Sequence, residues 1–249
     1  MFIKSIPHTI TLLNLFCGCL SIVSAFKGNP EAAGFFIIAA SFFDFFDGFA
    51  ARMLHCKSEL GKQLDSLADM ISFGLAPAVI IFGLLNTSVN MPSITFRGIN
   101  PLPYLGFLIA VFSALRLAKF NIDERQTDSF IGLPTPANAI LIASLPLILW
   151  NYSASNSETA ILIRSIINNF YILSLLSVIL SCLLIAELPL MSLKFKTYSW
   201  NENKIRYSFL IVSLISVFIL FYVAIPFIII FYIFLSVVNN YFISKQPNY

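Results

Sequence analysis

The sequence predicts an all-α fold, a polytopic membrane helix bundle with about eight transmembrane helices. Two observations indicate this fold class. Of the 249 residues, 58% are hydrophobic and 11% are charged, whereas soluble domains carry about 25% charged residues. The apolar stretches also run for about 17–25 residues each, which is the length that an α-helix needs to cross a bilayer. Lipid is therefore the expected environment of most of the chain.

Breaks in hydropathy at glycine, proline, asparagine and charged residues separate the elements. The predicted spans cover residues 8–26, 31–54, 61–85, 101–121, 133–151, 164–186, 206–222 and 224–243. Gly28-Asn29-Pro30 marks the first break, charged residues mark the second, and Pro226 marks the last. Because no repeat or long linker divides the chain, residues 1–249 are predicted to form one integral-membrane domain. Its catalytic helices are expected within residues 1–186, with two further spans in residues 206–243.

Basic residues fall mostly on one side of the predicted bundle. With a cytoplasmic N-terminus, twelve of the fifteen lie on the cytoplasmic side: Lys4, Arg52, Lys57, Lys62, Arg116, Lys119, Arg125, Lys194, Lys196, Lys204, Arg206 and Lys245. This bias predicts that both termini face the cytoplasm, in a bacterial-type cytoplasmic membrane. No basic cluster is interleaved with aromatic residues on a polar surface, so nucleic acid is not an expected partner.

Four aspartates stand in helical register on the second and third predicted spans. Asp44 and Asp47 share a helix face with Gly48, Ala51 and Arg52, while Gly61, Asp65 and Asp69 share a face of the next helix. A short turn joins the two helices, so these faces are expected to meet. Four carboxylates would then converge at the cytoplasmic interface.

Carboxylates held close together in a low-dielectric setting repel one another, so a counter-charge is expected. Oxygen-only ligands favour Mg²⁺, Mn²⁺ or Ca²⁺, and four carboxylates suffice for two cations that also bind phosphate oxygens. An alternative is simple pairing of the aspartates with Arg52, Lys57 and Lys62, although pairing does not explain the register. Small residues at 48, 51 and 61 allow helix backbones or a flat ligand to approach closely.

This pattern resembles the signature of the CDP-alcohol phosphatidyltransferases at every fixed position. The resemblance implies displacement of CMP from a CDP-linked lipid by an alcohol, with two divalent cations, Mg²⁺ or Mn²⁺, held by the four aspartates. It implies that Asp44, Asp47 and Asp65 hold the cation that binds the diphosphate. It also implies that Asp65 and Asp69 share the second cation, that Asp69 is the general base, and that the enzyme is a homodimer.

Other segments resemble the phosphatidylserine synthase branch of the family. They are residues 6–18, 72–77, 114–121, 130–136 and 188–196, although His8 stands where the family typically has asparagine. The branch implies CDP-diacylglycerol and L-serine as substrates within a membrane of lipids. Glycerol 3-phosphate, inositol phosphate or choline are the alternative acceptors.

Several polar residues near the aspartates are candidates for substrate binding. Gly48, Ala51, Arg52, Gly61, Thr11 and Asn14 are expected to bind the CDP-lipid, and Arg116, Lys119 and Asn121 to bind serine or a lipid phosphate. Arg116 and Lys119 are equally explained as topology anchors, and Thr11 and Asn14 as interhelical hydrogen-bonding residues.

A cation transporter is an alternative of another class, because intramembrane carboxylates also mark ion pathways. Transporter sites lie near the bilayer midplane between structural repeats, whereas these aspartates cluster at one interface and the sequence shows no repeat. A non-catalytic membrane scaffold would have no need for four aspartates in helical register. The sequence therefore favours a metal-dependent phosphatidyltransferase.

Overall fold

The computed structural model describes residues 2–55, 58–122, 130–191 and 199–243. The described chain is almost entirely helical, which confirms the predicted all-α fold. Lys57, Arg125, Lys194, Lys196 and Lys245, on which part of the predicted orientation rests, lie outside the described residues.

Within residues 2–55 and 58–122, the described chain forms five α-helices. They are α1 (Phe2–Phe26), α2 (Pro30–Met53), α3 (Glu59–Asp69), α4 (Ala76–Asn86) and α5 (Leu108–Ile122). A π-helical turn, Met70–Leu75, joins α3 directly to α4, and a 3-10 turn, Leu102–Phe107, leads into α5. α1 packs along α2 and also contacts α3, so it lies over the junction that carries the aspartates.

Within residues 130–191 and 199–243, five more helices and one short strand pair are described. The helices are α6 (Thr135–Asn151), α7 (Glu158–Ile167), α8 (Phe170–Ile185), α9 (Trp200–Leu220) and α10 (Ala224–Ile243). The two strands, β1 (Phe130–Ile131) and β2 (Pro189–Leu190), pair antiparallel. α6 packs against α2, α4 and α10 at the centre of the bundle.

Among the described residues, five helical segments are long and apolar enough to cross a membrane. They are Ile6–Phe26, Pro30–Met53, Glu59–Asn86, Leu102–Ile122 and Asn203–Val238, and the fifth and sixth predicted spans correspond to the shorter apolar helices α6 and α8. The fifth segment contains α9 and α10. Because the ring of Phe209 lies 6.1 Å from that of Phe231 and 5.7 Å from that of Tyr232, α9 and α10 fold back on each other as a helical hairpin.

The predicted start of the sixth span, at residue 164, is wrong. The chain breaks between α7 and α8, where the Asn169 side chain accepts hydrogen bonds from the backbone N–H groups of Tyr171 and Ile172 and so caps α8. Val89 forms two backbone hydrogen bonds with residues at this break. Its N–H donates to the carbonyl of Asn168 at 2.7 Å, and its carbonyl accepts from the N–H of Phe170 at 3.1 Å. A long-range backbone contact of this kind leaves no local signal in hydropathy.

The break between the last two spans lies at Phe221–Val223, where the predicted spans 206–222 and 224–243 meet, and not at Pro226. Phe221 has a φ of 48°, in the left-handed region that side chains rarely adopt, and this residue ends α9. Pro226 instead lies in the first turn of α10, where a missing N–H costs no helical hydrogen bond.

The helical hairpin of α9 and α10 is attached to the segment that follows β2. The N–H of Met191 donates to the hydroxyl of Ser236 at 3.1 Å, and the hydroxyl of Tyr232 donates to the carbonyl of Met191 at 2.8 Å. Both backbone groups of this buried methionine are therefore satisfied by side chains of α10.

Candidate active site

Three aspartates converge where the C-terminal part of α2 faces α3. One carboxylate oxygen from each of Asp44, Asp47 and Asp65 lies within 4.8 Å of the others. Asp47 is 6% exposed, and the other two are partly buried. The helical register recognised in the sequence thus places these carboxylates in one acidic cluster, which we call the triad.

Asp69 lies at the C-terminal end of α3, beside the triad. Its side chain is 8% exposed, and its carboxyl group lies against that of Asp44. The amide Nδ2 of Asn14, on α1, donates a hydrogen bond to Oδ1 of Asp69 at 3.3 Å. Asn14 therefore orients Asp69 through an interhelical hydrogen bond, which is one of the two roles considered for this asparagine.

A close approach between α1 and the π-helical turn fixes that hydrogen bond. A Cβ at Gly18 would lie 2.8 Å from the Cα of Ser72, so only glycine allows the two backbones to meet at this point. The hydroxyl of Ser72 donates to the backbone carbonyl of Asn14 at 2.9 Å. π-helical turns within α-helices are frequent at functional sites, and this one begins immediately after Asp69.

A cleft of about 540 Å³ opens beside the triad. It is lined by Pro7, His8, Thr11, Asp47, Gly48, Ala51, Ser58, Glu59, Gly61, Lys62 and Asp65. Thr11, Gly48, Ala51 and Gly61, which the sequence analysis assigned to CDP-lipid binding, are all in this lining. The hydroxyl of Thr11 donates to the carbonyl of Pro7 at 3.0 Å and lies beside the carboxyl of Asp47.

The two glycines of the cleft, Gly48 and Gly61, differ in the space around them. A Cβ at Gly61 would lie 3.1 Å from Oγ of Ser58 and 3.2 Å from Nε2 of His8, so a larger residue there would have to displace these two side chains by a few tenths of an ångström. A Cβ at Gly48 would meet only a guanidinium nitrogen of Arg52, at 3.7 Å, which is an ordinary contact. Packing does not require glycine at position 48, and the free space there faces the cleft.

Two cations of the motif region, Lys62 and Arg52, lie in different surroundings. Lys62 Nζ donates to the backbone carbonyl of Asn121 at 2.9 Å, and the guanidinium of Arg52 lies over Gly48. Lys57 lies outside the described residues. The ammonium group of Lys62 therefore joins α3 to the end of α5. This geometry speaks against simple pairing of Lys62 with the aspartates.

The three residues proposed for serine or phosphate occupy different surroundings. Arg116 is 7% exposed, its guanidinium donates to the hydroxyl of Thr135 at 3.3 Å, and the charge of Asp69 acts on it. Lys119 is exposed. Asn121 uses its side-chain amide to donate to the hydroxyl of Ser66 at 2.9 Å, which links α5 to α3. Arg116 is therefore the one of the three that the structure brings toward Asp69.

The sequence profile of the CDP-alcohol phosphatidyltransferases matches residues 4–183, which include the triad, Asp69 and all residues that line the cleft. The chain belongs to this family. The matched range runs from α1 nearly to the end of α8, so the helical hairpin of α9 and α10 lies beyond it.

Curated members of the CDP-alcohol phosphatidyltransferase family are similar to this chain. A CDP-diacylglycerol–serine O-phosphatidyltransferase of Bacillus subtilis is 38% identical over 135 residues, which cover 53% of this chain and 69% of the relative. The enzyme of that name from Helicobacter pylori is 30% identical over 197 residues, which cover 78% and 74%. An archaetidylserine synthase of Methanothermobacter thermautotrophicus is 37% identical over 145 residues, which cover 56% and 57%.

The acidic site of this CDP-alcohol phosphatidyltransferase is chemically suited to divalent cations. Its donors are carboxylate oxygens, which Mg²⁺ and Mn²⁺ prefer, and those of the triad are close enough to share one ion. Oδ2 of Asp47 is buried without a hydrogen-bond partner among the described residues. A buried carboxylate oxygen without a donor is costly, and a bound cation would satisfy it.

Some residues of this phosphatidyltransferase site were not identified from the sequence. Nε2 of His8 lies 3.3 Å from Oγ of Ser58, which also accepts from the N–H of Gly61 as the N-cap of α3. His8, which stands where the family typically has asparagine, lines the cleft. Ser58 carried a recognisable signal, because serine is a preferred N-cap residue.

Proposed function

We propose that this chain transfers the phosphatidyl group of CDP-diacylglycerol to the hydroxyl of L-serine and releases CMP. The observation that carries the proposal is the complete family signature, folded so that three of its aspartates form the triad and the fourth lies beside it. The names of the relatives support serine as the acceptor, since the bacterial enzymes are serine phosphatidyltransferases and the archaeal enzyme is an archaetidylserine synthase.

The cleft is the proposed site of the CDP moiety. The open space at Gly48 would allow a nucleotide or diphosphate to approach the backbone of α2, and the guanidinium of Arg52 lies next to that space. The triad would hold one divalent cation, and Asp65 and Asp69 would contribute to a second. When bound, such cations neutralise the charge on the phosphoryl oxygens and on the departing CMP.

Asp69 is the proposed general base. The serine hydroxyl oxygen forms a bond to the phosphorus that carries the diacylglycerol, the bond from that phosphorus to the CMP oxygen breaks, and the hydroxyl proton moves to Asp69. A serine hydroxyl is a poor nucleophile at neutral pH, so a positioned carboxylate is required. Asn14 orients the carboxyl group of Asp69 through its hydrogen bond to Oδ1.

A product assay tests the proposed acceptor. The purified full chain is given CDP-diacylglycerol, Mg²⁺ or Mn²⁺, and separately L-serine, glycerol 3-phosphate, inositol phosphate or choline, and the lipid products are identified by mass spectrometry. We expect phosphatidylserine from the serine reaction, together with an equal amount of CMP. Efficient use of another alcohol and no reaction with serine would replace this proposal with a sister activity of the same family.

The orientation of the active site is also a proposal. The positive-inside bias supports cytoplasmic termini and a cytoplasmic triad, where water-soluble serine is available. We expect a membrane-impermeant thiol reagent to label an Arg97→Cys variant in intact cells, and a Lys245→Cys variant only after the membrane is opened. Both variants should lack the native cysteines. Labelling of position 245 in intact cells would show that the C-terminus faces outward and would contradict the proposed orientation.

The homodimer that the family resemblance implies is a separate proposal. Chemical cross-linking of the chain in native membranes tests it, since a monomer would give no band at twice the mass.

A further inference from the structure

A buried polar cluster lies between α5 and α6, outside the lining of the nucleotide cleft. Ser113 and Arg116 are three residues apart on α5, Thr135 and Asn138 are three residues apart on α6, and the hydrogen bond from Arg116 to Thr135 joins the two helix faces. Arg116 is 7% exposed, and the other three side chains are fully buried. We call these four residues the inner cluster.

The inner cluster contains several polar atoms that have no partner among the described residues. They are Nδ2 and Oδ1 of Asn138, Oγ of Ser113 and Nε of Arg116. Most buried polar groups in folded proteins are hydrogen-bonded, and each one left unsatisfied costs about 1–3 kcal/mol. Asn138, with both ends of its amide free, lies one helical turn from Thr135, which binds a guanidinium that itself has a free N–H, and this is the arrangement of a site that a polar ligand completes.

The inner cluster adjoins Asp69. The charge of Asp69 acts on Arg116. Ser113 packs on the π-helical turn that begins directly after Asp69, since a Cβ at Gly74 would lie 3.2 Å from the Cβ of Ser113. Asp69 therefore lies between Asp44 of the triad and Arg116 of the inner cluster.

We propose that the inner cluster binds the carboxylate and ammonium groups of the acceptor amino acid and so presents its hydroxyl to Asp69. This inference rests on the proposed function and adds the position of the acceptor subsite. The guanidinium of Arg116 and Nδ2 of Asn138 are donors, which suit a carboxylate. Oδ1 of Asn138 and Oγ of Ser113 are acceptors, which suit an ammonium group. One short zwitterion satisfies both kinds of atom.

The inner cluster also explains discrimination among acceptors. Ethanolamine has the hydroxyl and the ammonium group of serine but lacks the carboxylate, so the buried donors of Arg116 and Asn138 would remain without an acceptor. Sites that hold buried polar groups for a substrate reject analogues that leave those groups unpaired by large factors, about 10⁴–10⁵ in favourable cases. The subsite therefore accepts L-serine and excludes ethanolamine.

Steady-state kinetics on two variants test the subsite. Ser113→Ala removes one acceptor, and Asn138→Leu keeps the approximate size of the side chain while removing its donor and acceptor. We expect the KM for L-serine to rise about 10- to 100-fold, as for loss of a hydrogen bond to a charged group. The KM for CDP-diacylglycerol should stay within about twofold, because the nucleotide cleft is separate.

A matched control is available on α6 itself. Ser144 is fully buried, but its hydroxyl donates to the carbonyl of Leu141 at 2.6 Å, so Ser144→Ala removes a buried hydroxyl that already has a partner. This variant should keep the wild-type KM for both substrates. If Asn138→Leu does not fold, as judged by loss of CDP-diacylglycerol binding, the smaller Ser113→Ala change decides the test.

The outcomes separate the subsite from the proposed function. If the wild-type chain makes phosphatidylserine and the Ser113 and Asn138 variants keep its KM for serine, the subsite is overturned while the function stands. An equal rise in both KM values would also overturn it, since the effect would then be structural. If the wild-type chain makes no phosphatidylserine, the proposed function itself fails.

Discussion

Removal of divalent metal ions is expected to abolish CMP release from CDP-diacylglycerol, and added Mg²⁺ or Mn²⁺ to restore it. Three carboxylate oxygens lie within 4.8 Å of one another, and one buried oxygen of Asp47 has no partner among the described residues. Without cations this cluster repels the diphosphate of the substrate. The measurement is CMP release with excess EDTA, followed by titration with each metal salt.

An Asp44→Asn variant serves as the companion to the chelation experiment. It removes one charge from the triad, so we expect a higher metal concentration for half-maximal activity and partial rescue by excess metal. Melting temperature in detergent, measured with and without EDTA, shows whether chelation has unfolded the chain. Full activity of the folded wild-type chain in excess chelator would contradict the two-metal proposal.

Asp69→Asn is expected to lower turnover by about 10²–10⁴, the usual range for loss of a positioned acid or base. Metal-dependent binding of CDP-diacylglycerol should stay within about tenfold of wild type, because the triad of Asp44, Asp47 and Asp65 is retained. The oxygen of the new amide can still accept the hydrogen bond from Asn14. Single-turnover kinetics and a separate binding measurement distinguish the two effects.

Asp47→Asn is the matched control for that experiment. It makes the same chemical change at a buried carboxylate, but within the triad, so binding of metal and CDP-lipid should weaken together. If Asp69→Asn instead lost CDP-lipid binding altogether, Asp69 would act chiefly as a metal ligand. Near wild-type turnover of serine by Asp69→Asn would require another group to accept the hydroxyl proton.

The helical register of the aspartates could be predicted because it depends only on local geometry. Asp44 and Asp47 are one turn apart, as are Asp65 and Asp69, and a short connection forces their helices to be neighbours. The convergence of the triad follows from these spacings. Most span ends, other than the start of the sixth, were predictable for a similar reason, since apolar length and polar breaks are properties of contiguous sequence.

Features that depend on contacts between distant segments could not be predicted. The π-helical turn carries no composition signal, and the break between α7 and α8 is held partly by Val89, far away in sequence. The inner cluster unites Ser113 and Arg116 with Thr135 and Asn138 across two helices. Single serines and asparagines in apolar spans are common, so their importance emerges only when burial leaves their atoms without partners.

The hydrogen bonds between α10 and Met191 join the C-terminal hairpin to the rest of the helix bundle. In an apolar surrounding, irregular backbone is tolerated only where other groups of the protein satisfy it. The hydroxyls of Tyr232 and Ser236 do this for the residue that follows β2. A chain shortened before α10 would expose two orphaned peptide groups beside the strand pair, so the region outside the family match is an integral part of the folding unit.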